Sequence, residues 1–254
     1  MAIYTIADLH LSLGENTDKP MEVFGGKWQD HAEKIKNRWT SLVTAEDTVI
    51  IPGDISWALK LEDSLDDFLF IESLPGKKII SKGNHDFWWS TQNKIKGFFS
   101  AKSIHSIEIL FNNAYVAEDM IICGTRGWYN ESSAAPRPCD YEKISARECG
   151  RLERSLQAGI DMADGRDLPI AVFTHFPPVW KEFAFEELID VMEKHEVKKC
   201  YYGHIHGDYT MPHTVSHEGI EFSLISADYL EFIPKNIPQK TISGDILTKI
   251  SEDT

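Results

Sequence analysis

Residues 78–86 read KIISKGNHD, an apolar strand-like run followed at once by Gly83, Asn84, His85 and Asp86. Similar short apolar runs elsewhere in the chain are also followed by side chains that can bind cations. Glycine precedes several of these side chains and lets the backbone turn sharply near a ligand. The five segments are Asp8-Leu9-His10, Gly53-Asp54, Gly83-Asn84-His85-Asp86, Thr174-His175 and Gly203-His204-Ile205-His206. Because sites in open α/β sheets lie beyond the carboxyl ends of strands, these segments predict one shared site at a sheet edge.

The hydrophobic pattern predicts an α/β fold, since strand-like and helix-like segments alternate through the first part of the chain. Helices are predicted at 27–45, 57–73, 88–99, 141–163 and 183–195, and strands at 3–7, 48–51, 78–81, 170–173 and 199–202. Residues 104–124 are predicted to form consecutive antiparallel strands, 125–140 a long loop, and 208–233 two or three further strands. No linker divides the chain, so we predict one domain over 1–254, with 234–254 a peripheral C-terminal extension.

Composition favours a soluble, acidic protein. The chain has 254 residues, 42% of them hydrophobic, and its 26 basic and 40 acidic residues give a net charge of −14. Such a charge repels phosphate backbones, so we expect no nucleic-acid polymer as a partner. The four cysteines form no Cys-x-x-Cys pair, and neither a signal peptide nor a membrane-spanning stretch is visible. We therefore expect a cytoplasmic protein with reduced cysteines and no membrane partner.

The polar side chains in the five segments form a mixed set of oxygen and nitrogen ligands without a thiolate. Residues two apart in an extended strand point to the same side, so Asp8 and His10 can share one ion, as can His204 and His206. Such ligands suit Mn²⁺, Fe²⁺/³⁺ or Zn²⁺. Asp54 is the natural bridge between two ions, because a carboxylate has two oxygens. The candidate metal ligands are Asp8, His10, Asp54, Asn84, His175, His204 and His206.

In their order along residues 8–206, these blocks resemble the calcineurin-like metallophosphoesterase superfamily. The resemblance implies a sandwich of two mixed β-sheets flanked by helices. It also implies two divalent or mixed-valence metal ions. By position, one ion is held by Asp8, His10, Asp54 and His206, and the second by Asp54, Asn84, His175 and His204.

The resemblance further implies phosphoester hydrolysis by in-line attack of a metal-bridging hydroxide on phosphorus. His85 matches the catalytic histidine, which protonates the leaving oxygen as a general acid. In the protein-phosphatase branch, the second block continues with an Asp that orients this histidine and an Arg that binds phosphate. This chain has Trp57 and Ala58 in those places. Asp86 is therefore the candidate partner of His85, and the alternative is that Asp86 caps the helix predicted at 88–99.

Arg126 is the candidate substrate contact, because it follows a strand and opens the long loop. Arginine binds phosphate through two parallel hydrogen bonds. The alternative role for Arg126 is a surface salt bridge in an acidic protein. Tyr129 and Arg137 lie in the same loop and are candidate lid residues.

Together these features predict a metal-dependent phosphohydrolase that acts on a small or accessible phosphoester. The departure at Trp57 and Ala58, with the closing Gly-His-x-His block, favours a phosphodiester over a monoester. The alternatives are a phosphoprotein or nucleotide phosphomonoesterase, a nuclease, and a catalytically silent scaffold on the same fold. The presence of His85 argues against the scaffold, and the net charge of −14 argues against the nuclease.

Overall fold

The first sheet of the computed structural model, which describes residues 1–129, 140–210 and 212–238, contains five strands. Four of them run parallel: β1 (Ile3–Thr5), β2 (Thr48–Pro52), β3 (Lys77–Ser81) and β4 (Ile107–Ile109). The fifth strand, Lys235–Ile237, is the last in chain order (β13) and pairs antiparallel with β1. The sheet order is therefore β13-β1-β2-β3-β4.

The second sheet contains six strands, four of them parallel in its centre and one antiparallel at each edge. Its members are β5 (Tyr115–Ala117), β6 (Met120–Thr125), β7 (Ile170–Thr174), β10 (Lys199–Tyr202), β11 (Thr214–His217) and β12 (Ile220–Leu224). They lie in the order β11-β12-β10-β7-β6-β5. Two short strands, β8 (Val179–Trp180) and β9 (Phe183–Ala184), form a separate antiparallel pair. Both large sheets are therefore mixed, as expected.

Helices flank the two sheets. They are α1 (His31–Leu42), α2 (Leu65–Ser73), α3 (Gln92–Ala101), α4 (Tyr141–Ala163) and α5 (Glu186–Lys194), with short 3-10 turns at Met21–Phe24, Gly26–Trp28 and Glu62–Ser64. Two of the helices have side-chain caps. Thr91 accepts a hydrogen bond from the Lys94 amide at the start of α3, and Asp140 accepts one from the Lys143 amide at the start of α4. Both caps satisfy amides that the helix itself leaves free.

The sheets pack face to face around a central core. This core joins Ile50 of β2 to Phe173 of β7 and Tyr201 of β10, whose rings stack 5.3 Å apart. Val49 and Ile51 belong to a second core, beneath α1, α2 and α3, because successive residues of a strand face opposite sides. A third core packs α4 and α5 against the outer face of the second sheet. The result is an αββα sandwich.

Several element boundaries differ from those predicted. The helices α1, α2 and α3 begin at His31, Leu65 and Gln92, later than the apolar periodicity indicates. The antiparallel prediction for residues 104–124 holds for β5 and β6 but is wrong for β4, which joins the first sheet in parallel. Thr125 belongs to β6 rather than to the long loop, and residues 130–139, which include Arg137, lie outside the described residues.

The predicted peripheral extension requires a second correction. Lys235–Ile237 form β13 within the first sheet, and Ile237 is buried in the central core. Pairing with β1 satisfies backbone groups that would otherwise be free at the edge of the sheet. Residues 239–254 lie outside the described residues, and the single-domain assignment stays a prediction. Within the described ranges, no helix is long and apolar enough to cross a membrane.

Candidate metal centre

The five predicted segments follow the carboxyl ends of β1, β2, β3, β7 and β10. Backbone hydrogen bonds tie these strand ends together. The amide of Ala7 donates to Ile225 O at 2.9 Å, that of Asp8 to Gly53 O at 3.0 Å, and that of Gly203 to His175 O at 3.2 Å. The first of these bonds joins the two sheets. The loops that carry the candidate ligands therefore meet at one rim of the sandwich, where sites in such folds are expected.

Two groups of candidate ligands form at this rim. Asp8, His10 and His206 make the first, and Asp54, His175 and His204 make the second, with the ligand atoms of each group within 4.8 Å of one another. In the first group, His10 Nε2 lies 3.2 Å from His206 Nε2. All six residues are among the ligands that the sequence predicted.

Asn84, the seventh predicted ligand, lies with the second group. Its Oδ1 is 2.6 Å from His175 Nε2 and 2.9 Å from His204 Nδ1. The side chains that the resemblance assigned to two ions thus form two adjacent groups, and His175 Nδ1 of the second lies 3.5 Å from Asp8 Oδ1 of the first.

Asp54 belongs to the second group and also faces the first. Its Oδ2 is 3.8 Å from His10 Nε2 in the first group and 3.5 Å from His175 Nε2 in the second. Its other oxygen, Oδ1, accepts a hydrogen bond from the His85 amide at 2.8 Å. This arrangement leaves Oδ2 facing both groups, which is the geometry that a bridging carboxylate requires.

The ligand loops adopt unusual backbone conformations. Asp8, His10, Asp54 and His204 all have positive φ, at 60°, 47°, 49° and 73°. Non-glycine residues rarely adopt this left-handed region, and such strain is typical of functional sites. Gly83 is required for a different reason, because a Cβ there would collide with the amide and carboxylate of Asp54. The left-handed conformations and the close contact between Gly83 and Asp54 are therefore both needed to place the ligands side by side.

Burial dominates the electrostatics of the metal centre. Burial raises the pKa of Asp8 to about 6, and burial with the neighbouring Asp86 and Asp8 carboxylates raises the pKa of Asp54 well above its usual value. Burial and nearby imidazoles hold the pKa values of His10 and His175 well below the usual value, and that of His204 at about 3. The site thus combines desolvated carboxylates with neutral imidazoles. A bound cation would offset the carboxylate charge and accept the lone pairs of the imidazoles.

The donor set fits divalent cations. Asp8 Oδ1 is buried without a hydrogen-bond partner. Two acceptors, Asn84 Oδ1 and Asp54 Oδ2, lie 2.6 and 3.5 Å from the same atom, His175 Nε2. Acceptors that converge in a buried hollow need positive charge, and the nitrogen and oxygen donors exclude a thiolate site.

His85 lies beside the first group. Its half-buried ring is 5.8 Å from that of His10 and 4.4 Å from that of Trp57, and Trp57 also stacks on His10 at 4.9 Å. Burial, with smaller contributions from His206 and Lys19, lowers the pKa of His85. Trp57 therefore confines the His85 ring by packing.

Asp86 has a different set of contacts from those predicted. Its carboxylate accepts hydrogen bonds from the amides of Asp54, Ile55, Ser56 and Gly83 and from Trp88 Nε1. None of its hydrogen bonds within the described residues goes to His85. The predicted helix cap is wrong, because α3 begins at Gln92 with Thr91 as its cap. Asp86 joins the loop after β2 to the loop after β3 and so holds Asp54 beside Asn84.

Arg126 and Tyr129 both lie near the second group. The Arg126 carbonyl accepts hydrogen bonds from the amides of His175 and Phe176 at 3.1 and 3.0 Å, and its guanidinium carbon lies 4.7 Å from the Trp128 ring centre. Tyr129 Oη is 2.9 Å from His204 Nε2. That contact leaves His204 Nδ1 facing Asn84. The roles of substrate contact for Arg126 and lid residue for Tyr129 stay predictions.

Asp228 was not predicted as a residue of the metal centre. Its buried carboxylate contacts His206 Nδ1 at 2.8 Å and accepts hydrogen bonds from Tyr209 Oη at 2.9 Å and the Gly207 amide at 3.2 Å. Burial opposes charge on His206, but the hydrogen bond to Asp228 and the charges of Asp8 and Asp228 together outweigh burial and raise the pKa of His206. The signal was present, because Asp228 follows the apolar strand β12 as Asp8 follows β1. Such partners fix the orientation of a metal-binding imidazole.

A family model and several solved structures are similar to this chain. The model of the family described as "Calcineurin-like phosphoesterase" matches residues 1–208. The crystal structure of TT1561 from Thermus thermophilus is similar in fold, with a TM-score of 0.56 and 10% identity over 89% of each chain. A protein of unknown function from Aquifex aeolicus, AQ665, aligns over 92% of this chain and 95% of its own with 15% identity and a TM-score of 0.47. No curated protein sequence gives a significant match.

Proposed function

Since the chain belongs to the calcineurin-like phosphoesterase family, we propose that it is a dinuclear-metal phosphohydrolase that prefers phosphodiesters to phosphomonoesters. The observation that carries this proposal is the position of Asp54 Oδ2, which lies 3.8 Å from His10 Nε2 and 3.5 Å from His175 Nε2. One carboxylate oxygen thus serves two ligand groups. Family membership indicates a metal-dependent phosphoester hydrolase, and the two groups support the dinuclear form.

Each of the two ions has its own set of candidate ligands at the rim, and the two sets share one carboxylate. The first ion would be held by Asp8, His10 and His206, the second by Asn84, His175 and His204, and both by Asp54. When bound, two such ions supply Lewis acidity that activates water and neutralises charge on the phosphoryl oxygens. The donor set suits Mn, Fe or Zn.

His85 is the candidate general acid. Its amide is hydrogen-bonded to Asp54 Oδ1 at 2.8 Å, and its ring lies beside His10 under Trp57. This packing positions the imidazole to donate a proton to the oxygen of the departing group. Asp86 is a positioning residue, because its carboxylate holds the backbone on both sides of the site.

The preference for diesters follows from the aromatic surroundings of His85. Trp57 stands where the protein-phosphatase branch has a carboxylate, and the neighbouring Phe87 is 59% exposed. An aromatic surface suits the organic group on the second ester oxygen. A diester also carries less charge than a monoester and needs fewer cationic contacts from the protein.

The test compares Asp54→Asn with Asp190→Asn, a matched change at an exposed position of α5. We expect the wild-type protein and Asp190→Asn to contain two metal ions per chain by elemental analysis and to hydrolyse bis(4-nitrophenyl) phosphate with Mn²⁺ faster than 4-nitrophenyl phosphate. Asp54→Asn should lose activity by at least ~1000-fold, because the bridge is a charged ligand of both ions. Hydrolysis that survives Asp54→Asn or chelation contradicts the proposed site, and faster monoester hydrolysis contradicts the diester preference.

A further inference from the structure

A cavity of about 860 Å³ lies next to the metal centre and is strongly basic. It opens between the end of β3, the loop at 110–113, the end of β6 and the first half of α4. Four cationic side chains line it, and none of the described lining residues is acidic. These cations are Lys82, Arg126, Arg147 and Arg151. Such a concentration stands out in a chain with 40 acidic and 26 basic residues.

A single carboxylate beneath the cavity compensates only part of this charge. Glu148 is fully buried and accepts hydrogen bonds from Arg151 Nη1 at 2.7 Å, Arg147 Nε at 3.4 Å and Thr125 Oγ1 at 2.7 Å. Two cations share this one carboxylate, which holds their guanidinium groups in place. Glu148 is buried, whereas both guanidinium groups remain partly exposed at the cavity wall.

The other two cations form no ion pair within the described residues, although Asp86 attracts Lys82, and Glu148 and Asp54 attract Arg126. Arg126 Nε is buried without a hydrogen-bond partner, and no described hydrogen bond or ion pair involves Lys82 Nζ. Unpaired, partly desolvated cations facing one cavity need an anion.

Two cations of the basic cavity lie beside residues that carry candidate ligands. Lys82 lies two residues before the candidate ligand Asn84. The Arg126 carbonyl accepts a hydrogen bond from the amide of His175, another ligand, at 3.1 Å. Arg126 is also close enough to Asp54 to be attracted by its carboxylate. The cavity and the metal centre are therefore neighbours.

The size and walls of the cavity indicate what that extension is. A volume of about 860 Å³ is much larger than one phosphate and falls in the range of small-molecule sites. Trp89 and Phe111 line it with rings 6.5 Å apart, and Arg151 lies over the Phe111 ring at 5.1 Å. These rings offer apolar contact to an organic group, and the cations offer a fork geometry that matches phosphate.

We propose that the basic cavity binds a second phosphate group of the substrate, carried on the organic part of the ester that is cleaved at the metal centre. This proposal rests on the proposed function and narrows its substrate class to small phosphoesters that bear another phosphate. The net charge of the chain disfavours a long polyphosphate polymer.

The experiment uses a matched pair of chromogenic substrates, thymidine 5′-(4-nitrophenyl phosphate) with and without a 3′-phosphate. The 3′-phosphate should lower KM at least tenfold in the metal-loaded wild-type protein. Lys82→Gln/Arg126→Gln should remove that difference, and Lys82→Gln, which leaves the Glu148 pairs intact, should reduce it. The control Lys198→Gln removes an exposed cation just before β10, outside the cavity, and should keep the full difference. Thermal melts followed by circular dichroism verify that the variants fold.

A binding measurement separates this proposal from the proposed function. Isothermal titration of the metal-loaded protein should show at least tenfold tighter binding of thymidine 3′,5′-bisphosphate than of thymidine 5′-monophosphate, and the double variant should bind both alike. Equal binding by the wild type, or a preference that survives in the double variant, overturns the basic cavity as a phosphate site. Absence of turnover with a retained binding preference overturns the proposed function alone.

Discussion

Asp228→Asn should weaken binding of the first metal ion about tenfold. Asp228 contacts His206 Nδ1 at 2.8 Å and so determines which imidazole nitrogen faces the ion. Asparagine keeps the shape and can still accept a hydrogen bond, but it lacks the negative charge that makes the imidazole more basic. Removing such a partner costs about 10–100-fold in metal affinity. The charge alone accounts for the lower end, about 1.4 kcal/mol.

Asp228→Ala should cost more, about 100-fold or ~2.8 kcal/mol. It removes the charge and also the hydrogen bonds from Tyr209 Oη and the Gly207 amide. His206 is then free to rotate, so metal binding loses affinity through the entropy cost of ordering its side chain. The graded loss from asparagine to alanine distinguishes a positioning carboxylate from one that only supports folding.

Competition with a chromophoric chelator measures both affinities, and the first ion should be lost before the second. Asp208→Asn is the matched control, because Asp208 lies in the same loop but pairs outward with Lys181 at 2.8 Å. We expect its metal affinity to equal that of the wild type. An affinity for Asp228→Asn within twofold of the wild type would refute the assignment of Asp228 to His206.

Three further predictions concern the rest of the metal centre. Gly83→Ala should reduce hydrolysis of bis(4-nitrophenyl) phosphate at least ~100-fold and lower the metal content, because the new Cβ collides with Asp54. The control Gly97→Ala has open space around its Cβ and should leave hydrolysis and metal content unchanged. Trp57→Ala should lower kcat about tenfold, because it releases the His85 ring. Trp57→Phe keeps an aromatic ring and should retain most of the wild-type kcat. An unaltered kcat in Trp57→Ala contradicts the packing role. In protein freed of metal by a chelator, Asp8→Asn should raise the free energy of unfolding by about 3 kcal/mol well above pH 6. The reason is that a carboxyl whose pKa is raised from 3.8 to about 6 destabilises the folded state when it is ionised. This difference should shrink as the pH falls toward 4, because Asp8 then becomes protonated in the folded state and partly protonated in the unfolded state. Urea denaturation at pH 8 and pH 4 measures the difference.

Much of the metal centre was predictable from local sequence. The runs before Asp8, Asp54 and Asn84 are apolar and strand-like, and they became β1, β2 and β3. Side chains at the carboxyl ends of parallel strands reach the same rim, so their grouping follows from the strand assignment. Asp86 was assigned to the wrong partner, because a residue adjacent to His85 in sequence need not face its ring. The missed Asp228 follows a strand that was predicted only coarsely.

The amino-acid sequence by itself determined the ligand inventory, the alternation of strands and helices, and the family, because residue type and periodicity are local properties. Only the tertiary structure decided that β4 runs parallel, that Lys235–Ile237 complete the first sheet, and that Asp228 supports His206. It also brought Lys82 beside Arg126, Arg147 and Arg151 around one cavity. These pairings join segments far apart in the chain. Their free energy comes from shared burial and charge, which exist only once the layers have packed.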